Sequence, residues 1–203
     1  KAWSRDLARR LWREGQEPAG TLAETYLAAR GLVLPEDAPL RFHPAAWRNA
    51  ENGPHGPAML ALMTSPAGNA PVGVHVTYLA PDGCGKAAGP SAKVMLGSVG
   101  VVRLVPDEDV TTGLGLAEGI ETALATMQRT GWRPIWAATS AGAIARFPVL
   151  PGIEALTVFA DADAAGLSAA RACIATWAEA GREARLLRPP AGDWDDATRE
   201  RAA

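Results

Sequence analysis

Between residues 114 and 189 the chain repeats one theme, a short apolar run followed by a stretch whose apolar residues recur at helical spacing. "LGLA" (114–117) precedes a helix with Ile120, Ala123, Leu124 and Met127 on one face, and "PIWAAT" (134–139) precedes a short helix over "AGAIARF". "LTVFA" (156–160) precedes a helix with Leu167, Ala170, Ile174 and Trp177 on one face, and "ARLLRP" (184–189) closes the series. Strands separated by helices are joined by crossovers rather than hairpins. The four runs are therefore predicted to form a small parallel sheet covered by helices on both faces.

The preceding half has a different texture. Trp3, Leu7 and Leu11 predict a first helix, and "TLAETYLAARG" predicts a second, opened by a capping box of Thr21 and Glu24 and ended by Gly31. From Leu32 to about Val105, Pro and Gly punctuate β-like runs: "AMLALM", "VGVHVTYL", "SAKVML" and "VVRLV". The pair Asp82-Gly83 predicts a hairpin turn after the second run. This half reads as α+β, and the expected division is an N-terminal region over 1–106 and an α/β domain over 107–203.

Composition narrows the chemistry. A formal net charge of −2 is not that of a generally basic nucleic-acid binder, so any polyanion must be held locally. Residues 1–105 carry eleven Lys and Arg against eight Asp and Glu, whereas 106–203 carry nine against fourteen. That asymmetry suits carboxylates gathered for a metal. Cys84 and Cys173 stand far apart without CxxC spacing, which points away from a disulfide framework or a cysteine zinc site and fits a reducing cytoplasm. No apolar run reaches about 18 residues, so no membrane span is expected. The chain opens on Lys1, and a piece of a longer protein is expected.

Ligands of open parallel sheets bind outside the carboxyl ends of the strands, and the acids fall there. Glu118 follows the first strand, Asp161 and Asp163 follow the third, and Asp193, Asp195 and Asp196 come after the fourth. Extended residues at i and i+2 point the same way, so Asp161 and Asp163 are predicted to aim at one point. Clustered anions repel unless a cation lies between them, and hard oxygen ligands suit Mg²⁺, with Mn²⁺ as an alternative. Such a site suits phosphoryl or nucleotidyl transfer. Asp163 also reads as the N-cap of the next helix, and Glu118 as a first-turn acid favoured by the helix dipole.

"LAEGIETALA", "VFADADAAGLSAA" and "PPAGDWDDA" together resemble the Toprim domain, the catalytic fold shared by bacterial-type primases, topoisomerases and some nucleases. The resemblance implies that Glu118, Asp161 and Asp163 are catalytic and hold Mg²⁺, with Asp193 and Asp195 as auxiliary ligands. "YLAARGL", "GVHVTYLAPDGCGKA", "AKVMLG" and "VRLVP" are similar to the region preceding the Toprim module in phage- and plasmid-type primases and primase–helicases. The chain departs from that pattern at Val76 and Val94, where members often carry a basic residue, and at Asp195, where asparagine is common.

The implied activity is DNA primase: metal-dependent nucleotidyl transfer making short primers from nucleoside triphosphates on a single-stranded DNA template. The implied partners, a zinc-ribbon module and a helicase, have no counterpart in this sequence. A Toprim nuclease and a non-catalytic nucleic-acid or protein interaction module are the alternatives. Lys86, Lys93 and Arg103 are candidates for phosphate contact, or plain surface charge. Glu121, one turn after Glu118, is either a supporting ligand or a solvated acid. His75 is either packed or a nucleotide contact, and Ser140 in "TSAGA" is either an N-cap or part of a phosphate-binding turn.

Overall fold

The structure, a computed structural model, describes residues 2–47, 55–89, 92–105, 108, 110–189 and 194. Two helices come first, α1 (Ala2–Glu14) and α2 (Leu22–Ala28). Thr21 caps α2 by accepting a hydrogen bond from the Ala23 N–H at 3.2 Å, while Glu24 reaches back to the Gly20 N–H at 2.7 Å. The reciprocal satisfaction of orphan donors is thus realised, with the second bond one residue further out than a standard capping box places it.

Four antiparallel strands follow in spatial order: β1 (Leu40–Trp47), β2 (His55–Thr64), β3 (Pro71–Tyr78) and β4 (Lys93–Gly97). The strand β1 has no counterpart in the sequence reading, because Pro44 interrupts its pattern. Pro44 is accommodated because β1 lies at the sheet edge and its pairing with β2 shifts register between His43 and Ala46. A proline costs no ladder bond at such a place. Alternation then divides the sheet into two faces. Leu60, Val74, Val76, Tyr78 and Leu96 pack under Leu7, Ala8 and Leu11 of α1. Met59, Ala61 and Met63 join Tyr26 and Leu27 of α2 in a second core.

The Asp82-Gly83 turn forms, with Gly83 at φ +73 and its N–H donating to the Ala80 carbonyl. It does not join two long strands. It folds residues 79–86 back on themselves so that Leu79 bridges Lys86, and β4 begins only at Lys93.

The second sheet has the order β5-β7-β6-β8-β9, with β5 (Val102–Arg103), β6 (Gly113–Ala117), β7 (Ile135–Ala137), β8 (Ala155–Phe159) and β9 (Glu183–Leu187). The four predicted strands are mutually parallel, and β5 adds an antiparallel edge. Three helices lie between them: α3 (Ile120–Thr130), α4 (Ala141–Ala145) and α5 (Ala164–Glu179). Leu114, Leu116, Trp136, Leu156 and Val158 face α4 and α5, where Cys173 and Trp177 are fully buried. Ala117, Ile135, Ala137 and Phe159 face α3. On β6, Gly115 allows this second packing, since a Cβ there would stand 2.5 Å from the Trp132 ring. The fold is thus an α+β N-terminal region followed by an α/β domain.

One core crosses between the two. Ile120, Ala123 and Leu124 of α3 pack in the same cluster as α2 and the inner face of β2. Burying that many apolar side chains between them ties α3, and whatever its first turn carries, to the first sheet. Among the described residues no helix is long and apolar enough to cross a membrane.

Candidate functional site

Where α3 meets the first sheet, a cleft of about 240 Å³ opens. Its walls come from opposite halves of the chain: Glu118, Thr122, Thr139 and Asp161 from the second, and Arg30, His75, Lys86 and Lys93 from the first. The open-sheet rule explains the first wall, because Glu118 follows β6 directly and Asp161 comes two residues beyond β8.

The acidic wall is under electrostatic pressure. Glu118 is half-buried, and burial pushes its carboxyl above the ordinary range; the negative charges of Asp161 and Asp163 push it further the same way. A backbone hydrogen bond from Ala141 and the charge of Lys93 oppose this without cancelling it. The Thr122 hydroxyl donates to Asp161 Oδ1 at 3.3 Å. Beside them, Thr139 holds φ +70, a region costly for a β-branched residue, while its N–H donates to the Glu118 carbonyl at 2.8 Å.

The basic wall is organised by an acid from the other half. Glu121 sits in the first turn of α3 and is 4 % exposed. Its Oε1 accepts from the Tyr26 hydroxyl at 2.6 Å and faces Lys86 Nζ at 3.2 Å, while Oε2 faces Lys93 Nζ at 3.4 Å. Burial alone would raise the Glu121 carboxyl, but the two ammonium groups and the Tyr26 hydroxyl outweigh it and hold the acid well below the ordinary range. Lys86 is lowered, chiefly by burial. His75, also buried, is pushed down to about 4 by desolvation and then by Lys93, so its ring is neutral near pH 7.

Residues 2–104 match the model of a family described as a domain of unknown function (DUF7146), and residues 113–203 match the model of the Toprim domain. The chain belongs to DUF7146 and carries a Toprim domain. No curated protein matches it. Among solved structures, a DNA primase domain from Pseudomonas aeruginosa superposes with a TM-score of 0.63 at 18% identity, over 97% of this chain and 74% of that one. The Aquifex aeolicus primase, solved with its zinc-binding and RNA polymerase domains, gives 0.62 at 14% identity, over 96% of this chain and 57% of that one. The primase domains bound to the bacteriophage T7 lagging-strand DNA polymerase give 0.55 at 15% identity, over 84% of this chain and 82% of that one. The fold is therefore that of the primase domains, across both halves of the chain.

Within the Toprim domain the predicted acids separate. Strand β8 ends at Phe159, so Asp161 and Asp163 lie in a turn and the i, i+2 alternation of extended backbone does not govern them. Asp161 lines the cleft. Asp163 is exposed and caps α5, its Oδ1 accepting from the Gly166 N–H at 2.7 Å, although its charge still reaches Glu118. Asp193, Asp195 and Asp196 lie outside the described residues. Their neighbour Trp194 is buried, its ring 5.5 Å from that of Phe159.

Among the described residues no group of three His, Cys, Asp or Glu stands together at metal-ligating distance. Two carboxylates on one cleft wall nevertheless form a donor set suited to a hard divalent cation that takes its other ligands from water and phosphate. A cation between them would also relieve the repulsion acting on Glu118.

Lys86 and Lys93 are brought to the cleft, and Arg103 is not. The Arg103 guanidinium donates to Thr64 Oγ1 at 2.9 Å, Ser65 O at 2.9 Å and Pro66 O at 3.0 Å, and lies 3.9 Å over the Trp136 ring. It clamps the end of β2 to β7. Ser140 takes its plain role as the N-cap of α4, accepting from the Ala143 N–H at 3.2 Å. Sequence reasoning missed Arg30 and Thr122, and reached Thr139 only as the first residue of the "TSAGA" turn. Thr122 carried a usable signal, being one helical turn from Glu118; Arg30 carried none.

Proposed function

We propose that the chain is the catalytic core of a DNA primase, joining nucleoside triphosphates into short primers on a single-stranded DNA template. The observation that carries this reading is the division of one cleft into a carboxylate wall and a lysine wall supplied by different sheets. Glu118 and Asp161 would hold Mg²⁺, with Asp163 at the rim and Asp193 and Asp195 as auxiliary ligands. When bound, the metal supplies charge neutralisation at the phosphate and a lowered pKa for the attacking hydroxyl.

The rest falls to the chain's own side chains. Lys86 and Lys93 bind the triphosphate and stabilise the charge that collects on the departing pyrophosphate when the primer 3′-oxygen bonds to the α-phosphorus. Glu121 and Tyr26 fix where those ammonium groups stand. Tyr26 and Ile120 are buried beside these groups, and a lower local dielectric strengthens the interactions there. A zinc-ribbon module and a helicase, on this reading, act from outside this sequence; the Aquifex structure, whose zinc-binding domain is part of the solved chain, supports the first.

The decisive experiment is primer synthesis on single-stranded DNA with labelled ribo- and deoxynucleotides, in Mg²⁺ and in Mn²⁺, for wild type and Asp161→Ala. Template-dependent oligonucleotides made by wild type and lost in the variant are the expected result. Release of acid-soluble nucleotides without any triphosphate would replace the reading with a nuclease. Metal-independent binding that Asp161→Ala leaves intact, with no product of either kind, would replace it with an interaction module.

A further inference from the structure

The imidazole of His75 has no role in the assignments above, yet its placement is unusual. His75 lies on β3, two residues before Thr77 and so on the same face as Thr77, which pairs with Lys93; His75 itself faces Met95 across the ladder. Directly opposed residues of an antiparallel pair share a face, so His75 is on the same face as Lys93, the face turned to the Toprim domain. The ring lines the cleft. Its Nδ1 is buried with no hydrogen-bond partner among the described residues.

A buried ring nitrogen without a partner leaves its desolvation uncompensated, and such a group in a folded protein calls for a specific explanation. The surroundings define the chemistry of that ligand. Lys86 and Lys93 make the neighbourhood cationic, Glu121 offsets only part of that charge, and desolvation keeps the imidazole neutral. A neutral ring N–H adds a directional donor to a phosphate site without adding a third repelling cation.

We infer that His75 contacts the substrate, donating a hydrogen bond from its imidazole to a phosphoryl oxygen of the nucleoside triphosphate held by Lys86 and Lys93. The inference rests on the proposed nucleotide site and adds a residue to it.

The chain contains three histidines, which makes the test direct. The other two, His43 and His55, belong to β1 and β2, with His43 beside Glu14 of α1 and His55 edge-on to Trp47. They serve as internal controls. Imidazole ¹⁵N resonances would be followed by NMR while ATP, and separately inorganic tripolyphosphate, is added to the full chain, with binding measured in parallel by calorimetry. The expected result is a saturable shift of the His75 signals with both probes and none for His43 or His55. His75→Asn, which keeps a side-chain donor, should hold most of the affinity, and His75→Phe should lose about tenfold. Heat of binding with His75 unmoved would overturn this inference and leave the nucleotide site standing. Absence of any binding by either probe would overturn both.

Discussion

The two walls of the cleft are built on opposite electrostatic principles. The Toprim wall half-buries Glu118 near two like charges that the Lys93 ammonium offsets only in part, and its carboxyl is driven up. The opposite wall holds two lysines around one buried glutamate and is satisfied internally, its carboxyl driven down. The difference teaches that the first wall is prepared to receive positive charge from outside, whereas the second is prepared in advance to receive negative charge. Glu121 is the link, because α3 carries it out of the Toprim domain and into the basic wall.

The most forceful way to break this comparison is to remove that link. Glu121→Ala should leave two part-exposed ammonium groups facing each other, at a cost of about 2–4 kcal/mol in chemical denaturation, less than a fully buried pair because solvent screens them; a loss under about 1 kcal/mol would mean that the lysines are not held by Glu121. The pH dependence follows from the sign of the shift. Below the ordinary glutamate value of 4.5 the unfolded chain takes up a proton that folded Glu121 refuses. Stability from this group is therefore complete above about pH 4.5 and drains away as pH falls further. Glu121→Gln should flatten that part of the acid profile.

Next in size are the lysines themselves. Lys86→Ala or Lys93→Ala should weaken triphosphate binding about tenfold or more by calorimetry, with metal binding at the acidic wall retained. Arg103→Ala sharpens the comparison from outside the cleft. The hydrogen bonds to Thr64, Ser65 and Pro66 and the Trp136 ring contact are lost, for about 1–3 kcal/mol of stability, while triphosphate affinity stays at the wild-type value. The smallest effect belongs to Glu118→Gln, which removes a repelled charge. Thermal stability at neutral pH should hold or rise by under about 1 kcal/mol, in contrast to Glu121→Gln, while primer synthesis is lost.

Much of the second sheet was legible because its signals are local. The Ile120, Ala123, Leu124 and Met127 stripe and the Leu167, Ala170, Ile174 and Trp177 stripe each report neighbours one turn apart. Short apolar runs between such helices leave few topologies open. In the first half, β1 was hidden by Pro44, since its edge position and register shift appear only once β2 lies beside it. The Asp82-Gly83 pair announced a turn but not its use, which is to bring Lys86 back toward Glu121. Asp163 was readable as a cap or as a ligand, and the early end of β8 leaves its Oδ1 in the cap of α5.

By itself, then, the sequence determined the strand–helix alternation, the four parallel strands, the capping of α2, and the positions of Glu118 and Asp161 at strand ends. Each depends on residues within a few positions of one another. The tertiary structure alone decided that Lys86 and Lys93, rather than Arg103, face those acids, that Glu121 belongs to the lysines, and that His75 turns into the cleft. Glu121 alone joins Lys93, 28 positions away, and Tyr26, 95 positions away. Those pairings exist because α3 is packed into a core shared with α2 and β2, and no local periodicity records which charged groups that packing brings together.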